Sequence, residues 1–441
     1  MEEQQKLDYI RHELTGKIIK TLKLDDHELV KVSITTPNHL DGFMSAIHNL
    51  VLITRDNKTK KETTLNLMVK VMKGDEAFRE VSQTKTQFTN EIYIYDKVIP
   101  VFSEVLSSRR CKVRGEDWCP RIFHCAAGLI PGFSSIYETI LVMENMTLDG
   151  FKTGPRNDLD EDHLTLMAER IAQFHACSYA LKIMDKENLE KLVNGIIPLN
   201  FIKNGQMFKS YAIMFRCGLD RIYEYLAKHP DELNSEQFTV DMEKLRDKYG
   251  KEPINLMQKF LQRDEFSVIL HGDYNRNNVL FKYENGRPVD LRMFDFQKNR
   301  YATPSIDLSF FMCMSMPTGF REQLWIPLLK SYHDSLMETL VDILKCDRND
   351  PRLETYSYIN FMKHMNRFAM YGAMVACHFL PWMLSSEEEC ALLAENSVLD
   401  IGSAEMRRLI MVSGGEKVDK RLIEIFRHMS QLGYFSIVHD D

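Results

Sequence analysis

The chain has no C-x-x-C pair, no apolar stretch of full membrane-spanning length, no strong excess of either charge and no internal repeat or low-complexity tract. Each absence excludes a class. Nine cysteines without regular spacing exclude a zinc-finger framework and a disulfide scaffold, and they fit a reducing, cytoplasmic setting. With 63 acidic against 56 basic residues, the formal net charge of -7 is too small and of the wrong sign for a chain that lives on nucleic acid or acidic lipid. The opening "MEEQQKLDYIRHEL" carries acidic residues and no apolar core, so no signal peptide is expected. The most apolar run, "FAMYGAMVACHFLPWML" at 368–384, falls short of the ~20 residues a span needs. It also contains His378 and Pro381, and a buried helix is expected there instead.

A hydrophobic fraction of 44% in 441 residues supplies a proper core, and the length suggests two or three packed units. "SAIHNLVLIT" and "TTLNLMVKVM" are β-rich runs on either side of "RDNKTKKE", which predicts a hairpin with a longish loop and puts Lys70 in its second strand. In "AFREVSQTKTQFTNEIYIYDKVIP", Phe88, Ile92 and Tyr95 recur at helical spacing, Glu91 stands beside them, and Pro100 is expected to close the segment. Lysines on strands and glutamates on helices are common, and each taken alone reads as a surface charge. Their order changes that reading: two strands, a lysine in the second, a helix with a glutamate, then the apolar strand "ILVMENM" at 140–146, as in a kinase small lobe.

After residue 146 the pattern turns helical. "DEDHLTLMAERIAQFHACSYAL" opens with acidic residues suited to a helix N-terminus, and its His175, with no metal-binding partner at i+4, reads as a packed core residue. Residues 182–262 are mixed and mostly helical, with many Met, Phe and Tyr, a content that fits a core as readily as a pocket wall. The acidic run "SSEEE" at 385–389 reads as a solvated helix start.

The stretch "VILHGDYNRNNVLF" at 268–281 does not read as a buried strand, because unpaired polar groups there would each cost kcal/mol. It reads as strand, loop "HGDYNRNN" and strand "VLFKY", followed by the turn "ENGRP" and the strand "VDLRMF" that ends at Asp295. In an antiparallel hairpin the start of one strand lies beside the end of the other, so Asn278 and Asp295 are expected together, with Asp273 just upstream. One amide and one carboxylate suit magnesium, which binds few protein oxygens and shares the rest with phosphates. A further carboxylate can orient a hydroxyl and take its proton, and in phosphoryl transfer even a weak base is sufficient.

His271 to Asn278 resembles the catalytic loop of the aminoglycoside phosphotransferase and choline kinase group, and "FDFQ" at 294–297 resembles its metal-binding segment. Together with "LVMENM" and "PSIDLSFFM", these residues resemble the ecdysteroid kinase-like family of insects, within the protein kinase-like superfamily. The resemblance implies an α+β, two-lobed kinase-like fold: a small β-rich lobe over 1–143 and a large, mainly helical lobe over 144–441, with a helical insert at about 182–262. It implies that Asp273 is the catalytic base and that Asn278 and Asp295 hold Mg2+. Lys70 would hold the ATP α/β-phosphates and pair with Glu91, and the backbones of Glu144 and Met146 would meet adenine at a hinge. Asp307 and His271 would support the loop. The acceptor implied is a hydroxyl of an ecdysteroid or another lipophilic, possibly foreign, alcohol.

The chain departs from the protein-kinase pattern in informative ways. No G-x-G-x-x-G is present; "HLDGFMSA", with Gly42 and Ser45, takes the phosphate-loop position. Glycine replaces the arginine of H-R-D, glutamine replaces the glycine of D-F-G, and no A-P-E follows. These changes point to a constitutively assembled small-molecule kinase. Three other readings stay open: a choline- or aminoglycoside-type phosphotransferase, a silent steroid- or partner-binding member, and a metal hydrolase using His271, Asp273 and Asp295.

Overall fold

In the first third of the chain, apolar and polar residues alternate and build an antiparallel sheet. Its strands are β1 (His27–Thr35), β2 (Ser45–Asp56), β3 (Glu62–Met72), β4 (Ile122–Leu129) and β5 (Tyr137–Glu144), in spatial order β1-β2-β3-β5-β4. The computed structural model describes residues 2–36, 44–156, 158–199, 206–319, 321–400 and 402–440. The expected hairpin forms, with Ser45 opposite Met72 and Arg55 opposite Glu62. Because successive side chains on a strand point to opposite faces, Leu67, Val69 and Val71 of β3 and Ile140 and Val142 of β5 pack with Tyr9, Ile10, Leu14 and Ile18 of an N-terminal helical run. Met68, Leu141 and Met143 face the other way, into the main core. Lys70 shares the parity of Met68 and lies across from Leu141, so the pleat turns it toward the interior of the molecule.

The segment expected as one helix ended by Pro100 is broken differently. Glu76–Val81 is a short helix, Gln83 at φ 53 interrupts it, and α1 (Thr84–Tyr93) carries Glu91. A wider turn over Ile94–Val98 then leads into a helix over Ile99–Ser108. Pro100 directly follows that wider turn, whose loosened bonding accommodates the missing N–H, and so the helix continues past it.

The rest of the chain is a helical body with three short strand pairings. Its principal helices are α2 (Glu161–Met184), α3 (Lys186–Asn194), α4 (Gln206–Lys228), α5 (Ser305–Ser315), α6 (Arg321–Leu344) and α7 (Met370–Met383). The strands are β6 (Phe151–Lys152), β7 (Val268–Ile269), β8 (Val279–Glu284), β9 (Arg287–Met293) and β10 (Tyr301–Ala302); β8 lies between β6 and β9, and β7 pairs with β10. The apolar run at 368–384 is the buried helix α7. A Cβ on Gly372 would stand 2.3 Å from the Ser309 carbonyl of α5, and one on Gly218 of α4 would stand 2.6 Å from Cys377. Helices on two sides thus approach it at backbone distance, which explains its nearly uniform hydrophobicity. Among the described residues no helix is long and apolar enough to cross a membrane.

The nine cysteines are all free. "SSEEE" does open a helix: Ser386 Oγ accepts from Glu389 N at 3.2 Å and Glu389 Oε2 accepts from Ser386 N at 2.8 Å, a reciprocal cap of Glu387–Asp400.

Candidate active site

The polar loop at 271–278 is tolerated because its donors are met from beneath by one buried carboxylate. Asp307, near the start of α5, accepts from His271 N and Gly272 N, each at 2.8 Å. His175 of α2 meets the same carboxylate through Nε2 at 3.2 Å and the Tyr332 hydroxyl through Nδ1 at 2.9 Å, so it is a core residue. His271 Nε2 lies 3.0 Å from the Phe294 carbonyl and its Nδ1 lies 3.4 Å from Asp273 N. That pattern assigns the proton to Nε2, and burial holds the His271 pKa below its ordinary value, which keeps the ring neutral. Gly272 is required twice over. Its φ is +83°, and a Cβ there would stand 2.0 Å from the Lys298 carbonyl oxygen.

Asp273 is gripped mainly by its main chain. Its carbonyl accepts from Asn275 Nδ2 at 3.0 Å and Asn278 Nδ2 at 2.9 Å, and its Oδ1 accepts from Asn275 Nδ2 at 3.1 Å. Burial, reinforced by the nearby Asp295 charge, pushes the Asp273 pKa up, against the pull of Lys298 and His271.

The β8–β9 hairpin turns tightly at Asn285 and Gly286, both at positive φ, with Glu284 opposite Arg287. This is shorter than the "ENGRP" turn expected, because Asn-Gly suits the two-residue turn and lets both strands run further. At the open end Val279 pairs with Met293, and Phe294 N donates to the Asn278 carbonyl at 3.0 Å, bringing Asn278 beside the end of β9. Asp295 follows in the left-handed region at φ 66°, a conformation of a kind that concentrates at functional sites.

That bend delivers Asp295 to Lys70. Lys70 Nζ lies 2.9 Å from Asp295 Oδ1 and 3.0 and 2.8 Å from the two Glu91 oxygens, with Lys70 and Glu91 both buried. Burial opposes the Lys70 charge, but the Asp295 and Glu91 carboxylates outweigh it and hold the ammonium pKa above its ordinary value. Burial raises the Glu91 pKa, Asp295 adds to it, and Lys70 opposes the shift. Gln297, where protein kinases have glycine, touches the same cluster. Its amide reaches Glu91 Oε2 at 3.4 Å in one orientation; flipped, it bridges Asp295 Oδ1 at 3.3 Å and Lys70 Nζ at 3.2 Å.

Two other expectations fall nearby. Ser45 is buried at the start of β2, and Gly42 lies outside the described residues. Glu144 ends β5, its N–H donating to the Arg121 carbonyl at 2.9 Å, and Met146 opens the short helix over Met146–Asp149 in the strand-to-body connection.

Residues not singled out from the sequence also belong to the site. Lys298 Nζ lies 3.5 Å from the Tyr211 hydroxyl, and its charge acts on both Asp273 and His378. Tyr211 is ringed by Phe215 at 5.9 Å and His378 at 5.4 Å between centroids. Lys298 stands three residues after Asp295, which is the only sequence signal for it; nothing marks Tyr211.

Among the described residues no group of three or more His, Cys, Asp or Glu side chains could hold a metal ion. Asp295 and Asn278 nevertheless fit magnesium as hard oxygen donors. The Asn278 amide nitrogen is committed to the Asp273 carbonyl, leaving Oδ1 as the end for a cation.

The model of the ecdysteroid kinase-like family matches residues 39–345. Among curated proteins none matches this chain in sequence. Similar solved structures include the GDP and kanamycin complex of APH(2")-IIia, at 11% identity and a TM-score of 0.39, covering 93% of this chain and 98% of that one. The GDP complex of wild-type aminoglycoside 2'-phosphotransferase-IIIa matches at 11% identity and a TM-score of 0.36, covering 96% of this chain and 98% of that one. Aminoglycoside-3'-phosphotransferase of type VIII matches at 13% identity and a TM-score of 0.30, covering 77% of this chain and 99% of that one. With its family model matched over most of its length, this chain belongs to the ecdysteroid kinase-like family.

Proposed function

We propose that this protein is an ATP- and magnesium-dependent kinase that phosphorylates a hydroxyl group of a lipophilic small molecule, an ecdysteroid or a foreign alcohol. One observation carries the reading. The Lys70 ammonium is held between Glu91 and Asp295, next to a loop that offers a half-buried, pKa-raised carboxylate at Asp273.

In this reading Lys70 binds the α/β-phosphates, Glu91 fixes its ammonium, and the connection at Glu144 and Met146 receives adenine, with Ser45 at the phosphate-loop end of the sheet. The nucleotide-binding unit is residues 1–143 and the acceptor-binding unit 144–441, including the insert at about 182–262. Asp295 and Asn278 hold Mg2+, which supplies charge neutralisation at the phosphates. Asp273 orients the acceptor hydroxyl and accepts its proton as that oxygen bonds to the γ-phosphorus and the bond to ADP breaks. Lys298 is set to stabilise charge on the transferred group.

Lys298 also argues for an uncharged acceptor, since a positive charge that acts on the Asp273 carboxylate repels the cationic head of choline or an aminoglycoside. A silent binder is disfavoured because Lys70, Glu91, Asp273, Asn278 and Asp295 are all present. A hydrolase that ligates metal through His271 is disfavoured because both ring nitrogens are engaged by the backbone.

The test is ATP consumption by purified protein with magnesium against ecdysteroids, other sterols, plant phenolics, choline and aminoglycosides. Turnover with a lipophilic alcohol that is lost in Asp273→Asn is the expected result. Turnover confined to choline or aminoglycosides would overturn the acceptor assignment, and nucleotide binding without turnover on any acceptor would favour the silent binder.

A further inference from the structure

The helix that carries Glu91 is fastened to the helical body at two points one turn apart. Asn90 is fully buried; its Nδ2 donates to the Ile197 carbonyl at 2.9 Å and its Oδ1 accepts from Ile197 N at 2.9 Å. Tyr93 donates its hydroxyl to the Leu192 carbonyl at 3.0 Å. Gly195 makes room for that ring, since a Cβ there would stand 2.1 Å from Tyr93 Cζ. The anchor itself is rigid, because Leu192, Val193 and Ile196 are buried in the main core.

From these contacts we infer that Asn90 and Tyr93 are positioning residues: by bonding to the 192–197 segment they fix the rotation of α1 and hold Glu91 against Lys70 without a regulatory switch. Residues three apart share a helix face, so Asn90 and Tyr93 grip one side while Glu91, offset by about 100°, is presented toward the sheet. Rotation about the helix axis would swing Glu91 off Lys70, and a two-point attachment resists it where a single bond would act as a pivot. In kinases generally the Lys–Glu pair must be formed for transfer, and movement of its helix is a common control point. Here the bidentate bond to Ile197 removes that freedom. The inference rests on the reading of Lys70 as the nucleotide-holding lysine.

The test uses full-length Asn90→Leu, which keeps side-chain size and removes both bonds, and Gly195→Ala, which displaces the Tyr93 ring from outside the helix. Each is made alone and with Glu91→Gln. Expected in Asn90→Leu and Gly195→Ala is a rise of about tenfold in the Kd and KM for ATP, with the acceptor KM unchanged, as follows from losing one or two buried hydrogen bonds. In the Glu91→Gln background the further loss should vanish, because both changes act through Glu91. Equal losses in both backgrounds, or unchanged ATP affinity in folded variants, would overturn the inference. Should Asn90→Leu fail to fold, Asn90→Asp keeps the bond from Ile197 N, and an intermediate rise in Kd is expected. If the unsubstituted protein binds no nucleotide, the kinase reading fails on its own. Hydrogen exchange then decides the clamp: faster exchange over 84–93 in the variants upholds it, and unchanged exchange overturns it.

Discussion

Exchanging Asp273 for asparagine separates chemistry from architecture at the loop. The loop holds this residue by its main chain, through the bonds from Asn275 and Asn278 to its carbonyl and through its N–H facing His271, and none of these is lost in Asp273→Asn. The side-chain bond from Asn275 can be taken over by an amide oxygen. Because burial and Asp295 hold the folded-state pKa above the ordinary ~3.9, the ionised carboxylate disfavours the folded state at neutral pH. A carboxyl raised in this way contributes stability below its ordinary pKa and loses it as pH climbs through the folded value. Asp273→Asn should therefore melt at the same temperature as the unsubstituted protein or slightly higher at pH 7, with the difference closing below about pH 4.

Turnover should behave in the opposite way. A positioned base is worth ~10²- to 10⁴-fold, or about 2.7–5.4 kcal/mol of barrier. ADP release at saturating ATP and acceptor gives kcat, and calorimetric titration with nucleotide and a melting curve supply the controls. Full turnover in a folded, nucleotide-binding Asp273→Asn protein would refute the base assignment. A melting temperature many degrees lower would refute the argument from the main chain. In the unsubstituted enzyme, the acid limb of the rate profile should lie above an ordinary carboxylate's titration, since the base must be ionised to act.

Asp295→Ala should abolish the magnesium dependence of ATP binding, since it removes the carboxylate of the proposed metal pair; an affinity that magnesium still raises as much as in the unsubstituted protein would count against that role. Gly272→Ala should lower stability and turnover together, because a left-handed backbone costs a non-glycine residue roughly 1–2 kcal/mol before the contact with the Lys298 carbonyl is added. Urea unfolding measures it, and a shift within error would contradict the close approach. Asp307→Ala leaves the His271 and Gly272 amides without their acceptor, at ~1–3 kcal/mol each. Its denaturation midpoint should fall well below that of Asp307→Asn, and equal midpoints would mean that the carboxylate does not hold the loop.

Much of this arrangement was legible because it follows local periodicity. The two β-rich runs put Lys70 in the second strand of a hairpin, the order of strand, strand and helix marked Glu91, and the hairpin pattern brought Asn278 to the end of the strand that precedes Asp295. Strands β1 and β4 went unread: β1 is a largely exposed edge, and β4, "IFHCAAGL", is small-residue-rich and weak in strand character. Pro100 misled because the wider turn just before it accommodates a proline inside a continuing helical run, which composition does not carry. The pairing of Lys298 with Tyr211 and of Asn90 with Ile197 joins residues far apart in the chain, and no periodicity reports such contacts. Phe215 and Tyr211 show the remaining limit, since an aromatic at helical spacing looks the same whether it faces a neighbouring helix or a bound molecule.

The two close glycine contacts of α7 bear on how the newly made chain is handled. Gly218 and the Ser309 carbonyl both precede α7, so the slot that receives it is already synthesised when the segment emerges. Until it docks, this is the stretch that chaperones and aggregation partners would recognise most readily. Filling the slot with a methyl at either glycine would lengthen that exposure, so the damage would appear first as reduced yield and insoluble protein made in cells, with any enzyme that does fold keeping its catalytic groups in place.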